Sequence, residues 1–288
     1  MALSSPHRPF SGTYQLSRME IKQGIRRNFA RRAASYDCYA EVQRFMAQQL
    51  LAQADAAIVQ ASRIMEVGCG TGYLTTQLRH VNPRAHLVAV DLDEVLLEWA
   101  RSRMGPDPRA AYVLADGEAI SGKNFDLIIS NSTFQWFTHP ETTISDYFRI
   151  LNPGGCLAFS TLGPGTFSEL ATAMWQAGKI LNLNKIPGIP AAGFLRAEDW
   201  TRLLAQAGFH SIQVSHKPLT IKFPTVINFL KALQATGATN PQPRPFSPRL
   251  LTALITTYKA LFGENASIPV TYEVIWIVAG RQDIYGRL

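Results

Sequence analysis

The chain has 288 residues, 47% of them apolar, enough for one large domain or a core with an appended subdomain. No apolar run approaches the ~20 residues that cross a bilayer. Cys38, Cys69 and Cys156 are widely spaced without a C-x-x-C pair, which argues against a disulfide framework or zinc site and for a reducing, cytoplasmic setting. The net charge of +7 favours acidic partners, although the excess is spread along the chain.

Residues 1–19 are polar, with Ser, Pro and Arg and no apolar stretch of the secretory kind, and are expected to form a disordered leader. Residues 21–36 are basic, and Ile21, Ile25 and Phe29 recur at helical spacing. Ser35-Tyr36-Asp37 interrupts this pattern. Residues 40–54 resume it, with Val42, Phe45, Met46 and Leu50 as the apolar stripe. A helical pair at residues 20–54 is expected to act as a lid. Tyr36 at its joint either points a hydroxyl into a pocket or packs between the two helices.

The stretch R-I-M-E-V-G-C-G-T-G-Y-L-T-T-Q-L at residues 63–78 organises the chain. An apolar strand at 64–67 runs into a turn punctuated by Gly68, Gly70 and Gly72, and a helix follows. A second strand, 86–90, ends in Asp91. This layout suits a nucleoside ligand: the glycines admit close backbone approach, and the acid accepts from a ribose diol. Leu92 belongs to the same pocket. The spacing is G-x-G-x-G, unlike the G-x-G-x-x-G of dinucleotide sites, and Glu66 precedes the first glycine by two residues. An acid there repels pyrophosphate and favours a cationic ligand such as S-adenosylmethionine. E-V-G-C-G-T-G resembles motif I of class I S-adenosylmethionine-dependent methyltransferases.

Further on, a helix at 94–104 stops at Gly105-Pro106, and a third strand at 111–115 precedes Asp116-Gly117. Asp116 is placed to accept an adenine amino group, with Gly117 giving backbone access; a solvated turn is the alternative. A fourth strand at 127–130 leads into Asn131, counted with the cofactor contacts, and on to Trp136. Ligands of doubly wound sheets lie beyond the carboxyl ends of the strands, so Trp136 is expected to wall the reaction channel or to be a core aromatic. The helix at 141–151 carries Arg149 near its C-terminus, where a cation also suits the dipole. A turn at 152–155, a fifth strand at 156–161, helices at 166–181 and 196–207, and a sixth strand at 211–214 follow. Helices at 223–233 and 249–262 flank a Pro-rich loop at 237–248, and a strand at 270–279 closes the sheet. The expected fold is α/β and Rossmann-like: a seven-stranded, mostly parallel sheet with helices on both faces. Residues 55–288 form this domain, with helical cap insertions at about 164–195 and 223–262.

Several segments together resemble one family. F-A-R-R-A-A-S-Y-D-C-Y-A-E-V-Q at Phe29 to Gln43, S-N-S-T-F-Q-W at Ser130 to Trp136, and L-N-P-G-G-C-L-A-F-S-T-L-G-P-G-T-F-S-E-L at Leu151 to Leu170 are similar to the malonyl-acyl-carrier-protein O-methyltransferases of biotin synthesis. So are F-L-K-A-L-Q-A-T-G-A-T-N at Phe229 to Asn240 and P-V-T-Y-E-V at Pro269 to Val274. Gln234-Ala235-Thr236 departs from the shorter connection common in that family. The resemblance implies methylation of the free carboxylate of malonyl-acyl-carrier protein or malonyl-CoA. It also implies Tyr36 and Trp136 in the reaction channel, a carrier-protein partner, and neither nucleic acid nor membrane as partner. A carboxylate is already ionised at neutral pH and needs no general base. Arg149 and Arg196 are the candidates for gripping it, because a guanidinium fork matches a carboxylate. Lys217, Lys222, Lys231, Arg244 and Arg249 are candidates for a basic docking rim. Rival readings are another methyltransferase of small carboxylates or quinone precursors, an RNA methyltransferase, which the basic charge suggests but no basic-aromatic motif supports, and a complex I assembly factor of the same lineage.

Overall fold

The computed structural model describes residues 18–236 and 247–282. Most of the expected leader, nearly all of the Pro-rich loop and Arg244 lie outside the described residues. Four helices come first: α1 (Arg18–Ala30), α2 (Ala33–Tyr39), α3 (Glu41–Gln53) and α4 (Asp55–Gln60). The alternating part follows as β1 (Arg63–Val67), α5 (Tyr73–Val81), β2 (His86–Asp91), α6 (Glu94–Met104), β3 (Ala110–Leu114), β4 (Phe125–Asn131), α7 (Pro140–Ile150) and β5 (Leu151–Leu162). The remainder is α8 (Ser168–Ile180), α9 (Ala197–Ala207), β6 (His210–Phe223), α10 (Val226–Ala235), α11 (Pro248–Phe262) and β7 (Ile268–Gly280).

The seven strands form one sheet in the order β3-β2-β1-β4-β5-β7-β6. The first five in that order run parallel, while β7 is antiparallel to both neighbours. The mostly parallel sheet read from the sequence is therefore present. Its chain direction turns between β1 and β4, and at such a switch point the connections diverge and leave a crevice at the strands' carboxyl ends. Both faces are covered. On one, Met46, Leu50, Ile58 and Leu78 pack over β1, β4 and β5. On the other, Phe134, Tyr147, Phe159 and Trp200 form the core. The Trp276 indole of β7 donates to the Met46 carbonyl at 2.9 Å and ties α3 to the sheet. A third cluster, including Phe167, Met174, Phe229, Leu254 and Tyr258, unites α8, α10 and α11 into a cap with its own small core.

Local chemistry sets the boundaries. The Asp93 carboxylate accepts from Val95 N and Leu96 N and starts α6. Gly105, at φ +73°, ends it. Two strands exceed their predicted lengths. The turn expected at 152–155 lies inside β5, where the β4 pairing shifts register between Phe125 and Leu127. Pro153 has no N–H to lose there, and Gly154, at φ +77°, donates to Arg281 O. The predicted strand at 211–214 is the start of a 14-residue edge strand, β6. With one neighbour and largely exposed faces, β6 keeps polar residues and Pro218, which masks a two-residue period. At the N-terminus the break falls between Ala30 and Ala33, earlier than Ser35-Tyr36-Asp37, and α4 is an additional helix.

Candidate active site

The glycine turn joins β1 to α5 at the switch point. Gly68 N and Cys69 N donate to Val90 O at 2.8 and 3.0 Å, which folds the turn back onto β2. Gly70 adopts φ +53° and has nothing within 4 Å of where a Cβ would stand, so its face is open to a ligand. Its N–H donates to Asp91 Oδ2 at 2.8 Å. Gly72 serves another purpose. It does not line the cavity, and a Cβ there would come within 2.7 Å of Ala100 Cα, so its role is to let α5 start against α6. Gly72 was expected among the ligand contacts, and the structure places it beside α6 instead.

A cavity of about 890 Å³, counting its mouth, opens beyond the carboxyl ends of β1, β2 and β4. Gly68, Gly70, Asp91, Leu92, Asp116, Gly117, Asn131, Tyr36 and Trp136 all line it, as the sequence suggested. Asp91 is buried, and its carboxylate also accepts from Asp93 N at 3.1 Å. Burial pushes its pKa up to about 6, against the pull of these N–H bonds. Asp116 accepts from Glu118 N at 2.9 Å and pairs with the Lys22 ammonium. Burial alone would raise the Glu118 carboxyl, but hydrogen bonds from Lys22, Thr138 and His139 outweigh it and hold the group below the usual range. Asn131 is fixed by its own contacts: its amide donates to Gln43 O at 3.1 Å and its oxygen accepts from Ser160 Oγ at 2.6 Å.

Glu66 differs from expectation. It sits buried outside the cavity lining, its Oε2 has no hydrogen-bond partner among the described residues, and burial pushes its pKa up to about 8, with Thr75 pulling back and Asp91 pushing further. The side chain is therefore largely neutral at pH 7 and is not the fixed negative charge read from the sequence. This orphaned buried oxygen fits a site completed by a positively charged ligand, because such a ligand favours the ionised form.

Of the helices expected to form a lid, α1 and α2 cover the cavity, whereas α3 packs Met46 and Leu50 into the core. Phe29 and Tyr36 face the cavity, and Lys22 and Arg26 reach into it one turn apart. Lys22 bridges Asp116 and Glu118, and Arg26 Nε lies 3.0 Å from Asp93 Oδ2. Thr71 Oγ1 donates to Asp37 Oδ1 at 2.9 Å, joining the lid to the glycine turn. Burial pushes the Tyr36 phenol far above its ordinary pKa, with Asp37 and Asp91 adding to it, so Tyr36 remains an O–H donor. Trp136 walls the cavity, edge-on to Phe29 and Phe194 at 6.1 and 6.0 Å. The core aromatic of the same 3₁₀ turn is Phe134, stacked on Phe159 at 4.0 Å.

Arg149 and Arg196 are not at the cavity. Arg149 stands in the last turn of α7 with a side chain 70% exposed and paired to Asp146; Arg196 caps α9 at 65% exposure and pairs with Asp199 at 3.1 Å. Each guanidinium is held by an acid three residues away, and neither lines the cavity. The cations that do line it, Lys22 and Arg26, were missed. Their signal was the i, i+4, i+7 series Lys22, Arg26, Phe29, one face of a helix beside the apolar positions that were counted.

A family model described as a methyltransferase domain matches residues 65–159. The malonyl-acyl-carrier-protein O-methyltransferase of Brevibacillus brevis is 36% identical over 269 residues, which cover 90% of this chain and 96% of that protein. Among solved structures, the YcgJ protein of Bacillus subtilis aligns with a TM-score of 0.57 at 13% identity, over 82% of this chain and 99% of the other. The N-methyltransferase NodS of Bradyrhizobium japonicum, in complex with S-adenosylhomocysteine, aligns at 0.51 with 14% identity, over 90% and 98%. At such identity these two speak for the fold alone, whereas the first relative is alike along nearly its whole length. With that likeness and the glycine turn, acid-ended strands and aromatic lid it accompanies, the chain belongs to the malonyl-acyl-carrier-protein O-methyltransferase family.

Proposed function

We propose that the chain methylates the free carboxylate of a malonyl group carried on acyl-carrier protein, with S-adenosylmethionine as donor, in the cytoplasm and on the route to biotin. The observation that carries this reading is a cavity with carboxylates at its sheet end and aromatic rings at its lid end, in a chain alike to such an enzyme over nine-tenths of its length. When bound, the donor supplies a methyl group made electrophilic by a sulfonium. Asp91 would hold its ribose, Asp116 its adenine edge, and the open face of Gly70 would let the backbone approach.

The acceptor oxygen is already anionic, so the cavity has no proton to remove. Tyr36 is held protonated and serves as a donor that orients the acceptor rather than as a base. Phe29, Tyr36 and Trp136 exclude water, which leaves orientation and desolvation as the sources of rate.

Asp91 accepts ribose hydroxyls best as a carboxylate. With its pKa near 6 in the free protein, affinity for the donor should hold above pH 7 and fall as pH drops through 6. One unit below that pKa about a tenth of the group is ionised, so binding at pH 5 should be roughly 10-fold weaker, as calorimetry across that range would show. The reaction itself is tested with labelled donor offered alongside malonyl-carrier protein, malonyl-CoA, aconitate or RNA. Label entering malonyl-carrier protein and leaving as methanol in alkali supports the reading. Alkali-stable label, or label only in another acceptor, refutes it. Rescue of a biotin auxotroph tests the pathway.

A further inference from the structure

The end of α1 and its turn into α2 read R-R-N-F-A-R-R, with cavity-facing Phe29 between two arginine pairs. Arg26 is neutralised by Asp93. The other three, Arg27, Arg31 and Arg32, are exposed and pair with no acid among the described residues. Elsewhere acids stand beside Arg79, Arg103, Arg149, Arg196 and Arg202. Only Arg27 lies in the last turn of α1, where the helix dipole welcomes a cation; Arg31 and Arg32 lie past the helix end. Like charges crowded within a Debye length repel one another, and an anionic surface laid over them would relieve this. Two of the basic residues first considered for that purpose are placed less well. Lys217 and Lys222 sit on β6, the far edge of the sheet, and Lys222 faces Glu264 at 3.9 Å.

Resting on the reaction proposed above, we infer that Arg27, Arg31 and Arg32 form the docking surface for the acidic face of the carrier protein. The lid carries Phe29 and Tyr36 on its inner side and these arginines outside. A malonyl thioester entering under the lid is tethered to its carrier, so the carrier's body must rest against the lid's outer rim. A free small acid needs no such surface. The contact acts through charge, steering encounter and setting apparent affinity, and takes no part in the methyl transfer.

The test compares two acceptors, malonyl-carrier protein and malonyl-N-acetylcysteamine, a thioester with neither protein nor phosphate. In the variant Arg27→Glu/Arg31→Glu/Arg32→Glu, kcat/KM for malonyl-carrier protein should fall by at least about 10-fold, while that for the small thioester stays within about twofold. The retained small-thioester activity reports a folded site. Raising salt from about 20 to about 200 mM should slow the wild type on the carrier substrate and leave the variant nearly flat. A variant that loses neither activity, or loses both alike, overturns the docking surface while the reaction stands. A wild type that methylates neither acceptor overturns the reaction and the docking surface together.

Discussion

Asp91→Ala is expected to abolish measurable binding of S-adenosylmethionine and S-adenosylhomocysteine. The carboxylate lines the cavity where the proposed donor's ribose would lie and, at the same time, gathers the N–H groups of Gly70 and Asp93. Hydrogen bonds to a charged acceptor contribute ~1.5–3 kcal/mol each, so losing two from the ligand costs about 100-fold in affinity or more. Freeing the turn adds to that loss. Gly70→Val should give the same result by another cause: the fold leaves room for its Cβ, but φ +53° is strained for a β-branched residue and the new side chain enters the ligand's space. Titration calorimetry with both ligands decides the matter, since binding within about threefold of wild type would remove the cofactor from this cavity.

Trp136→Ala should leave cofactor affinity near wild type and lower kcat about 100-fold. The ring covers the lid end of the cavity against Phe29 and Phe194, away from the Asp91 end. Its loss admits water and widens the space in which the acceptor must be aligned, and errors of about 1 Å in such alignment cost about 100-fold in rate. Trp136→Phe, which keeps a ring, should recover much of the activity. Single-turnover measurements at saturating donor separate this from weakened binding. Unchanged turnover in Trp136→Ala would reduce the residue to packing.

The parallel half of the fold was legible because its signals are local. Apolar runs bounded by glycines or acids marked the strands from Ile64 to Asp91, and the helix from Glu94 to Met104 was read to the residue. β6 was largely missed because the polar run Ser215-His216-Lys217-Pro218 interrupts its alternation, although Ile212 and Val214 before it and Leu219, Ile221 and Phe223 after it pack half-buried against the core. The turn residues Pro153 and Gly154 hid the start of β5 because pairing with β4 resumes across a bulge. Within the site, residues next to the glycine turn were found from spacing alone. The two arginines chosen for the carboxylate failed because a charge pattern cannot reveal that Asp146 and Asp199 already hold them. Glu66 was singled out by its spacing from the glycines, but its burial by neighbours distant in sequence, which raises its pKa, could not be read there.

The position of β7 between β5 and β6 fixes an order of events during biogenesis. Until Ile268–Gly280 leaves the ribosome, β6 has no strand to pair with and β5 presents an open edge. Met46, made some 230 residues earlier, waits for its indole partner over the same interval. Helix α3, laid down early, thus gains its tie to β7 last, and a nascent chain stalled before that strand exposes an open sheet edge that invites chaperones.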